Sequence, residues 1–246
     1  MVSILETQKS ADIIYPDSDG EPMSDNTKQF RWITVIHHNL EWLFAKDENV
    51  FVAGDLLWYP VEGNNQLCQA PDVMVVFGAK KGDRGSYMQW REGDIAPQVA
   101  FEILSPSNTL TKMNRKQVFY NRYGVEEYYL YDPDKNDLSG WLRGEEGLDV
   151  IENMADWTSP RLGIRFDLSS EVLQLFRPDG VRFTSYSEIS QQLSETSQQL
   201  SETSQQLETA LQNLEVVLQD KEQERQRAQR LAERLRAMGV DPDSID

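Results

Sequence analysis

The sequence predicts an α/β domain built on a mixed sheet and followed by one long helix. Three observations predict it. Residues 99–104 form a strand-length apolar run with apolar residues on both alternating faces, as a central strand covered on both sides requires. Helical and strand periodicities succeed one another as helix, strand, strand, strand, helix, strand, with a β-rich end, which is the order of an α/β fold with a mixed sheet. From residue 187 the composition turns to Ser, Thr, Gln and Glu with a leucine at every seventh position.

Residues 1–23 read as an irregular arm punctuated by Pro16, Gly20 and Pro22. Ser24 or Asp25 can cap a helix over about 25–45, where Phe30, Ile33, Ile36, Leu40 and Leu43 recur at helical spacing. Residues 50–59 read as a strand, 60–69 as a turn rich in Gly and Asn, and 71–77 as a second strand. Residues 78–94 form a polar segment carrying Lys80, Lys81, Arg84 and Arg91. A mobile solvated loop is its simpler reading and a substrate lid the alternative. After the central strand, a helix is expected over about 109–123, capped by Ser107 or Asn108 and ended by Gly124. A strand over 125–131, a turn over 132–137 and short strands near 138–143, 148–152, 162–167, 172–176 and 181–184 complete the domain.

Leu193, Leu200, Leu207 and Leu214 then mark heptads, and no Pro or Gly interrupts until Gly239. The second seam position is thin at its N-terminal end in either register: with the leucines at d the a positions are Ser190, Ser197 and Ser204, and with the leucines at a the d positions are Thr196, Thr203, Ala210 and Val217. A helical tail that joins copies into a homo-oligomer is expected; a solvated single helix or a disordered segment is the alternative. The organisation is thus an arm at 1–23, a domain at 24–186, a heptad helix forming a coiled coil at 187–238, and a flexible tail at 239–246.

The formal net charge of -17 counts against non-specific nucleic-acid binding, although a local basic cleft remains compatible with it. The single cysteine, Cys68, rules out an intramolecular disulfide framework and a Cys-rich zinc site. No run reaches the length of a signal peptide core or a membrane span, so a cytoplasmic protein with no membrane partner is expected. There is no Gly-rich phosphate loop, and the adjacent His37 and His38 lack His-x-x-x-His spacing. On an amphipathic helix one of them faces the core and the other faces water.

What remains is carboxylates at strand positions with a lysine nearby. Glu102 lies in the middle of the central strand, where an unpaired carboxylate costs several kcal/mol and calls for a cation, a metal or a raised pKa. The alternative is a glutamate that reaches solvent or pairs with an arginine. Asp72 opens the preceding strand directly after Pro71, and neighbouring strands can bring the two acids together. Two such acids without His or Cys suit a hard divalent cation, Mg²⁺ or Mn²⁺. On the following helix Met113, Lys116, Tyr120 and Tyr123 share one face, so Lys116 points back toward the sheet. Metal plus lysine is chemistry fit for phosphodiester hydrolysis.

These residues resemble a known pattern. Pro71-Asp72 followed by Glu102 resembles the PD-(D/E)xK nucleases. The ordered phrases Pro71-Asp72-Val73-Met74-Val75-Val76, Phe101-Glu102-Ile103-Leu104-Ser105-Pro106-Ser107, Lys116-x-x-x-Tyr120, Tyr123-Gly124-Val125-Glu126-Glu127-Tyr128-Tyr129 and Asp132-Pro133 resemble the Uma-two family of restriction endonucleases, abundant in cyanobacteria. The resemblance covers roughly 20–185. It implies a restriction-endonuclease-like core and a metal-dependent endonuclease acting on DNA. It further implies Asp72 and Glu102 as metal ligands, with the Ile103 backbone carbonyl as a third. Leu104 stands where the superfamily carries its lysine, so the resemblance takes that role to Lys116. Lys112, one turn earlier, stands where many members carry an acid, and Asp55 is a further candidate ligand. The alternative function is a catalytically weak or inactive nuclease fold serving as a coiled-coil assembly or binding module.

Overall fold

A computed structural model describes residues 13–18, 20 and 22–239. The chain divides into two compact units, Met1–Tyr186 and Ser187–Asp246. The first unit begins its regular structure with α1 (Thr27–Leu43) and continues through β1 (Val50–Gly54), β2 (Trp58–Tyr59), β3 (Val73–Phe77), β4 (Tyr87–Met88), a 3₁₀ turn (Gln89–Arg91) and β5 (Val99–Ile103). It then runs through α2 (Leu110–Tyr123), β6 (Glu127–Asp132), β7 (Asp137–Arg143), β8 (Leu148–Val150), β9 (Arg165–Asp167) and β10 (Gln174–Phe176). One helix, α3 (Tyr186–Ala237), supplies the second unit.

Six strands form the main sheet in the order β1-β3-β5-β6-β7-β8. β5 is central and all five of its residues are buried. It pairs antiparallel with β3 and parallel with β6, and α2 makes the crossover that a parallel pair needs. Alternation places Val99, Phe101 and Ile103 in a cluster with Ile33, Ile36 and Leu40 of α1. Ala100 packs on the opposite face with Met74, Phe119, Tyr120 and Tyr128. Glu102 shares that second face, the one covered by α2.

Several boundaries differ from the sequence reading for identifiable reasons. Asn26, not Ser24 or Asp25, caps α1, accepting from the backbone N–H of Lys28 (3.0 Å) and Gln29 (2.9 Å). Asp25 is drawn instead to the hydroxyls of Ser105 and Ser107. The expected strand over 50–59 breaks at Asp55, whose φ of 48° lies in the left-handed region and cannot continue a pleated strand. Beyond it β2 pairs with β4 in a separate two-stranded sheet. Thr109 caps α2, because Asn108 Oδ1 is already accepting from the Ser105 N–H at 2.8 Å. Gly124 ends that helix at φ 96°, as its residue type allows. No strand forms at 181–184 among the described residues; Arg182 makes one isolated bridge to Phe176.

The basic loop is also more ordered than expected. Arg84 pairs with Glu92 (2.6 Å) and lies 3.9 Å over the Phe51 ring, while Lys81 Nζ donates to the Phe44 carbonyl (2.6 Å). These contacts tie the loop to the β1 edge of the sheet. No helix among the described residues is long and apolar enough to cross a membrane.

Candidate active site

The antiparallel register sets Val73 opposite Phe101, so Asp72, one residue earlier, comes opposite Glu102. Both side chains are buried, Asp72 at 7 % and Glu102 at 3 % exposure. Asp72 Oδ2 accepts the Ile103 N–H at 2.6 Å, a bond that fixes the aspartate against the central strand. Lys116 reaches down from α2 and its ammonium donates to Glu102 Oε1 (2.8 Å), Glu102 Oε2 (2.7 Å) and the Ala70 carbonyl (3.1 Å). The Tyr120 hydroxyl, one turn further along α2, also donates to Glu102 Oε1. Asp72, Glu102 and Lys116 therefore converge as their sequence positions suggest, and the turn at 105–108 aims α2 so that Lys116 meets Glu102.

The electrostatics follow from burial and crowding. Burial, then the nearby Glu102 charge, pushes the Asp72 carboxyl up to about 8, although Lys116 opposes the shift. Burial would lower the Lys116 pKa, but the Glu102 and Asp72 carboxylates outweigh it and hold the ammonium above its usual value. Burial and then Glu102 raise Tyr120, which keeps it a neutral donor. Two acids thus share one nearby cation, and the site is short of positive charge.

A cavity of about 320 Å³ opens beside these residues. Its lining includes Asp55, Asp72, Glu102 and Lys116, with Lys112 and Arg115 contributed by the exposed side of α2. Two exposed cations at this mouth give a local basic rim within a protein of net charge -17. The Ile103 carbonyl accepts from Gln29 Nε2 at 2.9 Å, and the Gln29 Oε1 accepts the Asp25 N–H at 2.8 Å. One lone pair of that carbonyl is therefore used by α1, leaving the second. Asp55 N–H donates to the carbonyls of Pro71 (3.1 Å) and Asp72 (3.3 Å), anchoring the kink after β1 to the start of β3.

The oxygen donors present fit a hard divalent cation. Asp72 and Glu102 could supply carboxylates from adjacent strands, and the Ile103 carbonyl has a lone pair not used by Gln29. Among the described residues no group of three or more His, Cys, Asp or Glu is arranged to hold a metal ion. Two carboxylates are what Asp72 and Glu102 could offer a cation, and Mg²⁺ is an ion that retains several waters.

Sequence reasoning gave no role in the site to Gln29, Asp25, Arg115 or Tyr120, and named Asp25 only as a candidate cap. Tyr120 lay on the stripe with Lys116, and an i, i+4 tyrosine beside a buried lysine is a usable signal. Gln29 carries no such mark, because only the packing of α1 on β5 brings it to Ile103. Elsewhere Glu127, also buried, accepts from Tyr129 Oη (2.9 Å), the Arg161 N–H (2.7 Å) and the Ser159 hydroxyl. Its partners are all internal donors, and it marks a structural carboxylate. His37 is half-buried and His38 exposed, the arrangement expected of their helix.

The mixed sheet thus presents two carboxylates from adjacent strands to a lysine from the following helix. The chain belongs to the Uma2 family, described as "Putative restriction endonuclease", whose model matches residues 19–174. A solved structure titled as a "putative nuclease belonging to DUF820" from Anabaena variabilis is similar at 17% identity, covering 55% of this chain and 72% of that chain with a TM-score of 0.42. No curated protein matches.

Proposed function

We propose that the protein is a divalent-metal-dependent endonuclease that hydrolyses DNA phosphodiester bonds and works as an oligomer joined through α3. The observation that carries this reading is the convergence of Asp72, Glu102 and Lys116 on one polar cavity. Asp72, Glu102 and the Ile103 carbonyl would hold Mg²⁺ or Mn²⁺. When bound, such a cation supplies Lewis acidity, acidifying water and stabilising charge that develops on the phosphate.

The chain's own groups do the rest. Lys112 and Arg115 at the rim receive phosphate oxygens and orient the backbone of the strand. Lys116, held by Glu102, keeps a fixed positive charge beside the reacting phosphate without competing for a proton near neutral pH. Tyr120 and the Ile103 N–H hold Glu102 and Asp72 in place.

Incubating the purified protein with supercoiled plasmid and Mg²⁺ or Mn²⁺ tests the proposal. Nicked product is expected with the cation and none with chelator. Cleavage that survives chelation, or no cleavage under any condition, sinks it. One observation favours a second reading, an inactive nuclease fold kept as an assembly module: both Glu102 oxygens are engaged by Lys116. A cation must share or displace that ion pair, so absence of metal binding would support the module.

A further inference from the structure

Helix α3 carries an exposed apolar stripe. Leu193, Leu200, Leu207, Leu211, Leu214 and Leu218 are between 54% and 69% exposed along a helix of 52 residues. Its charges are separated along its length. Residues 187–220 hold six acids and no Lys or Arg, whereas residues 221–237 hold six Lys and Arg against three Glu. From the stripe and this polarity, resting on the oligomeric reading above, we infer that α3 pairs antiparallel with α3 of a second copy.

The heptad register decides the orientation. With Leu193, Leu200, Leu207 and Leu214 at d, a parallel in-register pair stacks Lys221 on Lys221 and Arg225 on Arg225 in consecutive core layers. It also lays the acidic stretch along its own copy. An antiparallel pair puts each a residue opposite a d residue. One register makes seven layers inside the helix: Ser190–Leu235, Leu193–Ala232, Ser197–Ala228, Leu200–Arg225, Ser204–Lys221, Leu207–Leu218 and Leu211–Leu214.

In four of the seven a small residue faces a leucine or two leucines meet, which fills the Ser190 layer but leaves Ser197 against Ala228 and Ser204 against Lys221. The Arg225 stem can cover Leu200 while its guanidinium reaches water. Flanking positions add Ile189 against Leu231. Glu208 then faces Glu215, an unfavourable rim pair, but exposed like charges cost far less than two like charges in core layers.

The pairing has a consequence for cleavage. The chain enters α3 at its N-terminal end, so the two entry points lie about 80 Å apart at 1.5 Å per residue. Each nuclease unit then acts alone, and single-strand nicks accumulate before linear plasmid.

The test places one nitroxide at Ser201→Cys in full-length protein that also carries Cys68→Ser, with light scattering for mass and pulsed electron spin resonance for distance. A dimer whose labels lie about 35 Å apart is expected from the helical rise. A distance below about 20 Å, the separation of side chains on helices packed 8–10 Å apart, overturns the antiparallel orientation alone. A monomer at micromolar concentration overturns the pairing and the oligomeric reading together.

Discussion

Replacing Glu102 with alanine is expected to abolish cleavage and to destabilise the first unit. The side chain is 3 % exposed and is the acceptor for both Lys116 and Tyr120. Its loss leaves the Lys116 ammonium, only 12 % exposed, with the Ala70 carbonyl as an acceptor and Asp72 as the nearby acid. Breaking a buried ion pair by removing one member costs about 3–5 kcal/mol. Loss of a metal ligand removes several kcal/mol of transition-state stabilisation, a fall in rate of at least about 10³-fold. The double variant Glu102→Ala with Lys116→Met separates the two effects. Removing both charges should return most of the lost stability in urea denaturation, yet plasmid cleavage stays absent. A single variant as stable as the parent would mean that the ion pair contributes little.

Asp72→Asn is expected to make the metal-free protein more stable, and more so as pH rises. Burial and the Glu102 charge push the folded Asp72 carboxyl up to about 8, above its ordinary value of 3.8. Between those values the native state holds a proton that the unfolded chain has released, so stability falls as pH increases. The favourable contribution is complete below about pH 4 and is lost as pH rises through 8. Asparagine keeps an oxygen for the Ile103 N–H and cannot ionise, so this slope vanishes. Each tenfold change in proton affinity is worth about 1.4 kcal/mol, and a gain of at least about 1 kcal/mol at pH 8 over that at pH 5 is expected. Adding Mg²⁺ reverses the ranking, because a ligand that binds only the native parent stabilises only the parent. Thermal melts of both proteins at pH 5 and pH 8, with and without Mg²⁺, check the crossing. A pH-independent difference would contradict the crowded-carboxylate account.

The centre of this fold is legible in the sequence because its physics is local to the strands. Two-faced apolar alternation identifies β5 as central, and the placement of Asp72 at the start of the preceding strand needs only antiparallel pairing to meet Glu102. Lys116 is legible from helical spacing once α2 is placed. The kink at Asp55 is not, since aspartate enters the left-handed region only where other contacts hold it there. The caps escape for a related reason. Ser24, Asp25, Ser107 and Asn108 are all good capping residues, and tertiary hydrogen bonds between Asp25 and the 105–107 turn decide which of them are free. The loop over 78–94 reads as solvated because Arg84 finds Phe51 and Glu92 only after the chain has folded.

Calorimetric titration of the full-length protein with Mn²⁺ at pH 7.5, alongside Asp72→Asn and Glu102→Gln, tests the central claim most directly. Cation binding that depends on both carboxylates is expected, with affinity reduced at least about 10-fold in each variant. Absence of binding in the parent, or equal binding in all three proteins, would contradict a metal site at Asp72 and Glu102.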